Sequence, residues 1–320
     1  MQPTGLLHLG HYLGVLRNFT RLQHEHDSYF MVANWHSLTI FYSDYRQAHD
    51  FISPLVSDWL AAGLDPEKCT IFLQSDVQAH AELSLILSMF TPVSWLTRNP
   101  TYKEKQENIE KDIDSHGFLG YPVLQAADIL LYEAEQVPIG EDQLPHLELT
   151  REIARRFNHL VDQDTLVVPK ALLSEYPKVV GTDGRKMSKS YNNTLVLADA
   201  EEALTAEMRK MKTDTARVRR DDPGNPEDCP VFTYYDFFAA DKKETIAAEC
   251  RSAKIGCSDC KKIISSAMVE DLKPFREKKA EVQENKKLIS DVLMYGAEKA
   301  EKVANQTLEK VKSKMGFKSI

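Results

Sequence analysis

Short apolar runs alternate with amphipathic stretches over the first half of the chain. The apolar runs occupy positions 29–33, 70–73, 137–139 and 165–168. The helix-like stretches between them occupy positions 45–62, 79–90, 121–132 and 145–157. Repeated alternation of strand and helix is typical of a parallel sheet with helices on both faces. The pattern therefore predicts an α/β domain with a Rossmann-like, doubly wound parallel sheet.

After Asn193 the apolar runs give way to long amphipathic stretches at 200–212 and 275–314. The second stretch is rich in Lys and Glu, which is typical of solvated helix faces. A chain of 320 residues also exceeds what one hydrophobic core usually supports. We therefore expect an α/β domain over 1–193 and an α-helical domain over 194–320.

Composition and charge exclude some classes of protein. The chain is 42% hydrophobic and 28% charged, and no apolar run approaches the roughly 20 residues that span a bilayer. Its first residues lack the basic and apolar regions of a secretion signal, so we expect a cytoplasmic protein without a membrane anchor. The net charge of −8 gives no sign of a uniformly basic surface, so nucleic acid would need a local basic patch.

The segment at 2–14, QPTGLLHLGHYLG, contains the first candidate motif for phosphate binding. Thr4 can cap a helix, and the free N–H groups at the start of such a helix bind anions. The apolar face of this predicted helix comprises Leu6, Leu9, Leu13 and Leu16. Gly10 leaves space for a flat ligand, while His8 and His11 share one face and can donate to phosphate oxygens. Two histidines alone are more often ordinary surface or core residues.

The segment at 184–190, GRKMSKS, contains the second. Two lysines among hydroxyls, with glycines at 181 and 184, can form a clamp for phosphate charge. Taken alone, such a loop is more often a plain charged surface.

Together the two motifs resemble the signature of class I aminoacyl-tRNA synthetases, whose first motif is His-Ile-Gly-His or a relative and whose second is Lys-Met-Ser-Lys-Ser. The segments at 120–132 and 137–151 are similar to tryptophanyl-tRNA synthetases in particular. The resemblance covers residues 2 to about 193. It implies an enzyme that activates L-tryptophan with ATP and Mg²⁺ and transfers it to tRNA(Trp), with a homodimer as its assembly. Tyrosyl-tRNA synthetases are the nearest rival, but Gly-Glu-Asp-Gln followed by His146 and Glu148 speaks against them.

The resemblance also implies roles for individual residues. The catalytic group would comprise His8, His11, Lys186 and Lys189. The ATP site would comprise Gln2, Pro3, Thr4, Gly10, His11, Gly140, Glu141, Asp142, Val179, Lys186, Met187, Ser188, Lys189 and Ser190. The tryptophan pocket would comprise Tyr121, Gln125, Asp128 and Gln143. Lys103 and Lys105 are equally well explained as pyrophosphate contacts or as surface residues.

Asp128 also has a physical argument of its own. A carboxylate on an otherwise apolar helix is costly to bury unless something donates to it, and an indole N–H is such a donor. Pockets of this kind discriminate by about 10⁴–10⁵ against an analogue that lacks the donor. The alternative is a structural aspartate that is paired with an arginine or a backbone amide.

Four cysteines follow the pattern C-x20-C-x6-C-x2-C, at Cys229, Cys250, Cys257 and Cys260. Four thiolates suit either a structural Zn²⁺ ion or a [4Fe-4S] cluster, and the spacing does not decide between them. Some bacterial tryptophanyl-tRNA synthetases carry such a cluster in the anticodon-binding domain. The resemblance therefore favours [4Fe-4S] over zinc, in a helical anticodon-binding domain at 194–320.

Basic residues in the helical half are candidates for contact with a tRNA backbone, although solvated helix faces explain each of them as well. They are Arg209, Lys210, Lys212, Arg217, Arg219, Arg220, Lys261 and Lys262.

One feature departs from the family, because relatives have a first β-strand before Gln-Pro-Thr-Gly and this sequence starts at Met1 and Gln2. That strand normally anchors the ATP loop, so we expect a chain without it to bind ATP less well. A non-catalytic relative that binds RNA or senses iron is therefore the rival from a different class of protein.

Overall fold

The computed structural model describes residues 1–100, 102–103, 115–173 and 179–317. Lys105 lies outside these residues. Within them, no helix is long and apolar enough to cross a membrane.

Two pairs of parallel strands form the centre of the first half. β1 (Ser28–Val32) pairs with β2 (Cys69–Leu73), and β3 (Gln136–Ile139) pairs with β4 (Lys170–Leu173). Helices connect the two strands of each pair, as a parallel crossover requires. The predicted α/β architecture with parallel strands is therefore confirmed, with the described strands in two separate pairs.

The predicted strand at 165–168 is wrong, since the strand lies at β4. The side chain of Asn158 accepts from the backbone N–H groups of Thr165 and Leu166 and donates to the carbonyl of Leu166. These bonds fix the segment as a turn after the preceding helix. The strand therefore starts only at Lys170.

Helices pack around the strands of the first half. They are α1 (Leu9–His11), α2 (Arg17–Leu22), α3 (Asn34–Phe41), α4 (Tyr45–Asp50), α5 (Ile52–Ala61), α6 (Ala79–Ser88), α7 (Val93–Thr97), α8 (His116–Leu130) and α9 (Leu144–Leu160). A π-helical turn, Tyr12–Leu16, makes α1 and α2 continuous. The stretch predicted at 45–62 is two helices that meet at Phe51.

The first helix begins later than predicted. His8 is its N-cap residue, and Gly5 has a φ of +129°, which turns the chain before the helix starts. Thr4 therefore does not cap the helix. For the same reason Leu6 is exposed, whereas Leu7 is buried.

The second half is helical, as predicted. Its helices are α10 (Glu201–Lys210), α11 (Tyr235–Phe238), α12 (Lys243–Arg251), α13 (Cys257–Asp271), α14 (Lys273–Glu284) and α15 (Lys286–Lys314). A buried ion pair between Lys279 and Asp58 attaches α14 to α5.

The last helix, α15, returns to the first half and packs against β2. A Cβ atom at Gly296 would lie 1.8 Å from the carbonyl oxygen of Ile71, so only glycine permits this approach. Further along α15, Ala300 and Leu308 share a core cluster with Phe72 of β2. The Lys and Glu side chains of α15 are largely solvated, as predicted, but its opposite face belongs to the core of the α/β region.

Candidate functional site

A cavity of about 720 Å³ lies between the first helix, the end of β3 and the lysine loop. We call it the phosphate cavity. It opens at the carboxyl end of a parallel strand, which is the usual ligand crevice of such sheets. The predicted residues that line it are Thr4, His8, Gly10, His11, Gly140, Asp142, Gln143, Val179, Lys186, Met187, Ser188, Lys189 and Ser190. Gln2, Pro3, Glu141 and Lys103 do not line it, whereas Asn18 and Tyr191, which the sequence did not indicate, do.

The lysine loop is held by the carboxamide of Asn193, which is almost fully buried. Its Oδ1 accepts from the backbone N–H of Ser188 at 2.8 Å. Its Nδ2 donates to Asp183 Oδ1 at 2.7 Å and to the carbonyl of Lys186 at 3.1 Å. The hydrogen bond from Asn193 is the largest cause that lowers the pKa of Asp183 to about 2. A Cβ atom at Gly181 would lie 2.4 Å from this carboxamide, so the loop needs glycine there.

The two lysines of the loop are available to a ligand. Neither Lys186 nor Lys189 forms an ion pair with any residue of the described ranges. The ammonium of Lys189 lies against Gly5, where a Cβ atom would stand 3.1 Å from Nζ. Burial lowers the pKa of Lys189 from 10.5, which indicates a cation that is already partly removed from water. A bound phosphate would restore its lost solvation.

The rings of His8 and His11 are in contact, with centroids 3.8 Å apart and planes tilted by 36°. The backbone N–H of His8 donates to His11 Nδ1 at 3.2 Å. Burial is the main cause that lowers the pKa of His8 to about 4 and that of His11 to about 3, and the charge of Lys189 adds to both shifts. Both rings are therefore neutral at pH 7. The buried Nδ1 of His8 has no hydrogen-bond partner in the part of the chain that the structure describes, so it can serve a ligand.

A second cavity, of about 690 Å³, lies between β1 and β3. We call it the inter-strand cavity. Asp128, Ile129, Tyr132 and Val137 line it. Phe19 and Pro138 line both this cavity and the phosphate cavity, so the two adjoin.

The carboxylate of Asp128 is buried and held by two histidines and a glutamine. His36 Nε2 lies 2.7 Å from Oδ2, and His80 Nδ1 lies 2.7 Å from Oδ1. Gln74 Nε2 donates to both oxygens, at 2.8 and 3.0 Å. Neither the arginine nor the backbone amide that the sequence left open is among these donors. His36, Gln74 and His80 gave no signal in the sequence, because they lie 92, 54 and 48 residues from Asp128 and only folding brings them to it.

Asp128 is ionised despite its burial. Burial acts to raise the pKa of its carboxyl, but the charges and hydrogen bonds of His36 and His80 outweigh burial. The pKa therefore lies well below its usual range. The carboxylate can act only as a hydrogen-bond acceptor at neutral pH.

The other residues predicted for the tryptophan pocket do not gather around Asp128. The hydroxyl of Tyr121 lies 2.7 Å from His146 Nε2, and its ring contacts the ring of His36. Tyr121 lines a third cavity, of about 910 Å³, which His36 also lines. Gln143 lines the phosphate cavity, and Gln125 lines none of these three.

The third cavity opens on an apolar surface, which we call the apolar face. Its large exposed side chains are Leu38, Tyr42, Leu85 and Val93. Exposed apolar patches of this kind usually mark an interaction site.

The four cysteines of the helical half lie in one neighbourhood. Burial is the main cause that raises the pKa of the Cys260 thiol to about 11, and Cys229, Cys250 and Cys257 contribute. The hydroxyl of Tyr235 lies 3.4 Å from Cys260 Sγ. Within the described ranges, however, no three His, Cys, Asp or Glu side chains are arranged to hold a metal ion. The metal site thus stays a prediction.

Comparisons with known proteins agree with this geometry. A family model described as tRNA synthetases class I (W and Y) matches residues 1–273. The tryptophan–tRNA ligase of Thermotoga maritima is 50% identical over 99% of this chain and 98% of that protein, and the one of Aquifex aeolicus is 40% identical over 99% and 98%. A crystal structure of tryptophanyl-tRNA synthetase from Campylobacter jejuni complexed with ADP and tryptophan is 33% identical. It covers 99% of this chain and 98% of that one, with a TM-score of 0.88.

Proposed function

Because the chain belongs to the tryptophanyl-tRNA synthetases of class I, we propose that it joins L-tryptophan to tRNA(Trp) through a tryptophanyl-adenylate. One observation supports this function above the others. Two cavities share the walls Phe19 and Pro138, and one offers unpaired cations while the other offers a buried, ionised acceptor. A reaction that joins a nucleotide to an N–H-bearing aromatic amino acid needs this combination.

In the first step, a carboxylate oxygen of tryptophan attacks the α-phosphorus of ATP. The bond from that phosphorus to the bridging oxygen breaks, and pyrophosphate leaves with the electron pair. The carboxylate is already ionised, so no general base is needed, and the protein acts by positioning and by stabilising charge. Lys186 and Lys189 stabilise the charge on pyrophosphate, while the neutral rings of His8 and His11 donate to phosphate oxygens. Mg²⁺ bound with ATP would add positive charge.

The amino acid lies in the inter-strand cavity in this proposal. Asp128 accepts the indole N–H, and Ile129 and Val137 provide apolar walls. Gln143 approaches the polar end of the substrate from the phosphate cavity. Tyr121 acts through its contact with His36, and Gln125, on the same helix as Asp128, completes the pocket when the ligand is bound.

In the second step, a ribose hydroxyl at the 3′ end of tRNA attacks the activated carbonyl, and AMP leaves. We propose that residues 1–193 carry this chemistry and that 194–320 hold the anticodon. The exposed basic residues would contact the tRNA backbone, and they are Arg209, Lys210, Lys212, Arg219, Arg220 and Lys262. Arg217 is buried and, like Lys261, donates to backbone carbonyl oxygens instead. A role in translation agrees with a cytoplasmic location.

We also propose that Cys229, Cys250, Cys257 and Cys260 hold a [4Fe-4S] cluster. The chemistry of the donors fits, since four neighbouring thiols can supply the thiolates that iron-sulfur clusters need. Lys261 lies near three of these cysteines, so its positive charge would offset the negative charge of their thiolates. A bound cluster would link the segment before α11 to α12 and α13. Iron and sulfide analysis of anaerobically purified protein tests this proposal, and stoichiometric zinc without iron would contradict it.

The apolar face would join two copies of the chain in a homodimer. A two-fold interface needs a self-complementary patch, and the cavity beside Leu85 and Tyr42 offers both a ridge and a hollow. Leu85→Glu should give a monomer in light scattering, because it places a charge in the interface. Leu160→Glu, at another exposed leucine, should leave the dimer intact.

Tryptophan-dependent ATP–pyrophosphate exchange tests the central proposal, with tyrosine as the control substrate. We expect exchange with tryptophan alone. Exchange with tyrosine would overturn the role of the inter-strand cavity. Exchange with neither would favour the non-catalytic rival that binds RNA or senses iron.

A further inference from the structure

A buried chain of hydrogen bonds leads from a tyrosine hydroxyl to Asp128. The hydroxyl of Tyr132 lies 2.8 Å from His80 Nε2, and His80 Nδ1 lies 2.7 Å from Asp128 Oδ1. The side chain of His80 has no exposed surface, so water cannot replace either bond. The position of the carboxylate therefore depends on the histidine, and that of the histidine on the tyrosine.

The tyrosine hydroxyl holds the ring nitrogen of His80 that faces away from the carboxylate. Burial, with a smaller contribution from the charge of Asp128, strongly raises the pKa of Tyr132, so its hydroxyl keeps its proton. An ionised carboxylate can only accept, so Nδ1 of His80 is the donor to Asp128. Without the hydroxyl, the buried Nε2 of His80 would lose its partner. The ring would then be held by hydrogen bonding at Nδ1 alone.

Tyr132 is itself rigid. Its ring stacks on Tyr29 with centroids 4.7 Å apart, and it packs against Phe72 at 5.5 Å. Phe72 has no exposed surface. The hydroxyl is thus placed by ring packing and not by a mobile side chain.

The carboxylate of Asp128 is within reach of a ligand. Three protein groups bind it, from His36, Gln74 and His80, and Gln74 Nε2 is shared between its two oxygens. Asp128 also lines the inter-strand cavity, so a hydrogen-bond donor on a ligand in this cavity can reach the carboxylate.

We propose that Tyr132 and His80 are positioning residues for substrate specificity: they orient Asp128 so that its carboxylate faces the indole N–H of tryptophan. The inference rests on the proposed function. It predicts that loss of the tyrosine hydroxyl weakens selection for an N–H donor while leaving the chemical step unchanged.

The test compares tryptophan with β-(3-benzothienyl)alanine, in which sulfur replaces the indole N–H. Binding of each is measured by equilibrium dialysis, and turnover by pyrophosphate exchange. Tyr132→Phe should raise Kd and KM for tryptophan about tenfold and lower the preference over the analogue by a similar factor. The kcat and the KM for ATP should stay within about twofold. An unchanged preference in Tyr132→Phe would overturn the proposal.

A pair of variants at His80 separates positioning from packing. In His80→Asn, the amide nitrogen can still donate from near the position of Nδ1, without help from Tyr132. We expect His80→Asn to keep the preference for tryptophan within about threefold, and His80→Leu to lose it about tenfold or more. Equal losses in the two variants would contradict the proposed role. Thermal unfolding of each variant shows whether it is folded.

The binding measurement also separates this inference from the proposed function. If the unmodified protein selects tryptophan in dialysis and Tyr132→Phe does not, but neither shows exchange, the enzymatic function fails and the positioning role stands. If it exchanges pyrophosphate with tryptophan but Tyr132→Phe behaves identically, the function stands and the positioning role fails.

Discussion

The phosphate cavity and the inter-strand cavity adjoin, but they are built in opposite ways. The phosphate cavity takes most of its polar groups from two short segments, around His8 and around Lys189, and its lysines have no carboxylate partner among the described residues. The inter-strand cavity depends on Asp128, whose partners come from separate elements and already occupy most of its acceptor positions. The phosphate cavity can bind the negative charge of a ligand, whereas the inter-strand cavity can discriminate against substrates that lack a hydrogen-bond donor.

The difference follows from the energetics of burial. An unsatisfied charged group inside the protein costs several kcal/mol or more. A buried charged side chain that selects the substrate must therefore be almost fully hydrogen-bonded before the ligand binds. A partly solvated ammonium is hydrated before its ligand binds, so it needs no hydrogen-bond partner from the protein. We therefore expect the largest effects of substitution at Asp128 and progressively smaller ones on the phosphate side.

Asp128→Asn should lower kcat/KM for tryptophan by about a thousandfold, because an amide presents a donor where three protein groups already donate. The KM for ATP should change by less than about twofold, since the phosphate cavity is untouched. Steady-state pyrophosphate exchange measures both. Asp50→Asn, on the exposed end of α4, is the matched control and should behave as the unmodified protein. Similar losses for tryptophan and ATP would show that the two cavities are not independent.

Lys189→Ala should lower kcat by about a hundredfold, since one preorganised donor to developing charge is lost. The Kd for tryptophan should be unchanged, which dialysis can check. Lys278→Ala removes a cation from an exposed ion pair with Glu281 and serves as the control. If Lys189→Ala weakened only tryptophan binding, Lys189 would act in the inter-strand cavity and not in the phosphate cavity.

The two cavities also differ in how far the sequence could predict them. Most residues of the phosphate cavity were predicted, because the resemblance to class I synthetases rests on two short motifs whose histidines, lysines, hydroxyls and glycines lie close together in the chain. Gly181 was noticed as part of that pattern, but its packing against Asn193 was not. On the other side only Asp128 was predicted, from the cost of burying a carboxylate. His36 and His80 belong to α3 and α6, and only tertiary packing brings them to α8.

The fold itself was predicted where periodicity was strong and missed where side chains decide the backbone. The strands β1, β2 and β3 lie within a residue of their predicted positions. The fourth strand was displaced by the hydrogen bonds of Asn158, and the first helix by the backbone of Gly5. In both places, one side chain or one glycine outweighs the hydrophobic pattern.

Asn193→Ala should raise the KM for ATP about tenfold, since it removes three hydrogen bonds that hold the lysine loop. Gly181→Ala should act in the same direction, because the new methyl group would displace the Asn193 carboxamide. Asn192→Gly, at the neighbouring exposed residue with φ of +48°, is the control and should have little effect. If Asn193→Ala changed kcat for tryptophan activation but not the KM for ATP, the loop would not depend on this side chain for nucleotide binding.

Acid should reveal the same contrast through stability. The folded protein holds the pKa of His8 near 4, against an ordinary value of 6.5. Between pH 6.5 and 4, the unfolded chain therefore binds a proton at His8 and the folded chain does not. Stability must therefore fall as pH drops from about 6.5 towards 4. The pKa of Asp128 is lowered below its ordinary 3.8, so its contribution is lost only in stronger acid. Between pH 7.5 and 5.5, the contribution of His8 to stability should therefore change, whereas that of Asp128 should not.

The measurement is the loss of Tm between pH 7.5 and 5.5 in phosphate-free buffer. We expect the loss of Tm to be smaller by about 2 °C in His8→Asn than in the unmodified protein, because asparagine has no group that titrates at this position. His11 should account for a further part, since its pKa is lowered to about 3 by burial and by the charges of His8 and Lys189. An equal loss of Tm in both proteins would mean that His8 takes up its proton in the folded state. The phosphate cavity would then hold an imidazolium, and would attract ATP more strongly as the pH falls.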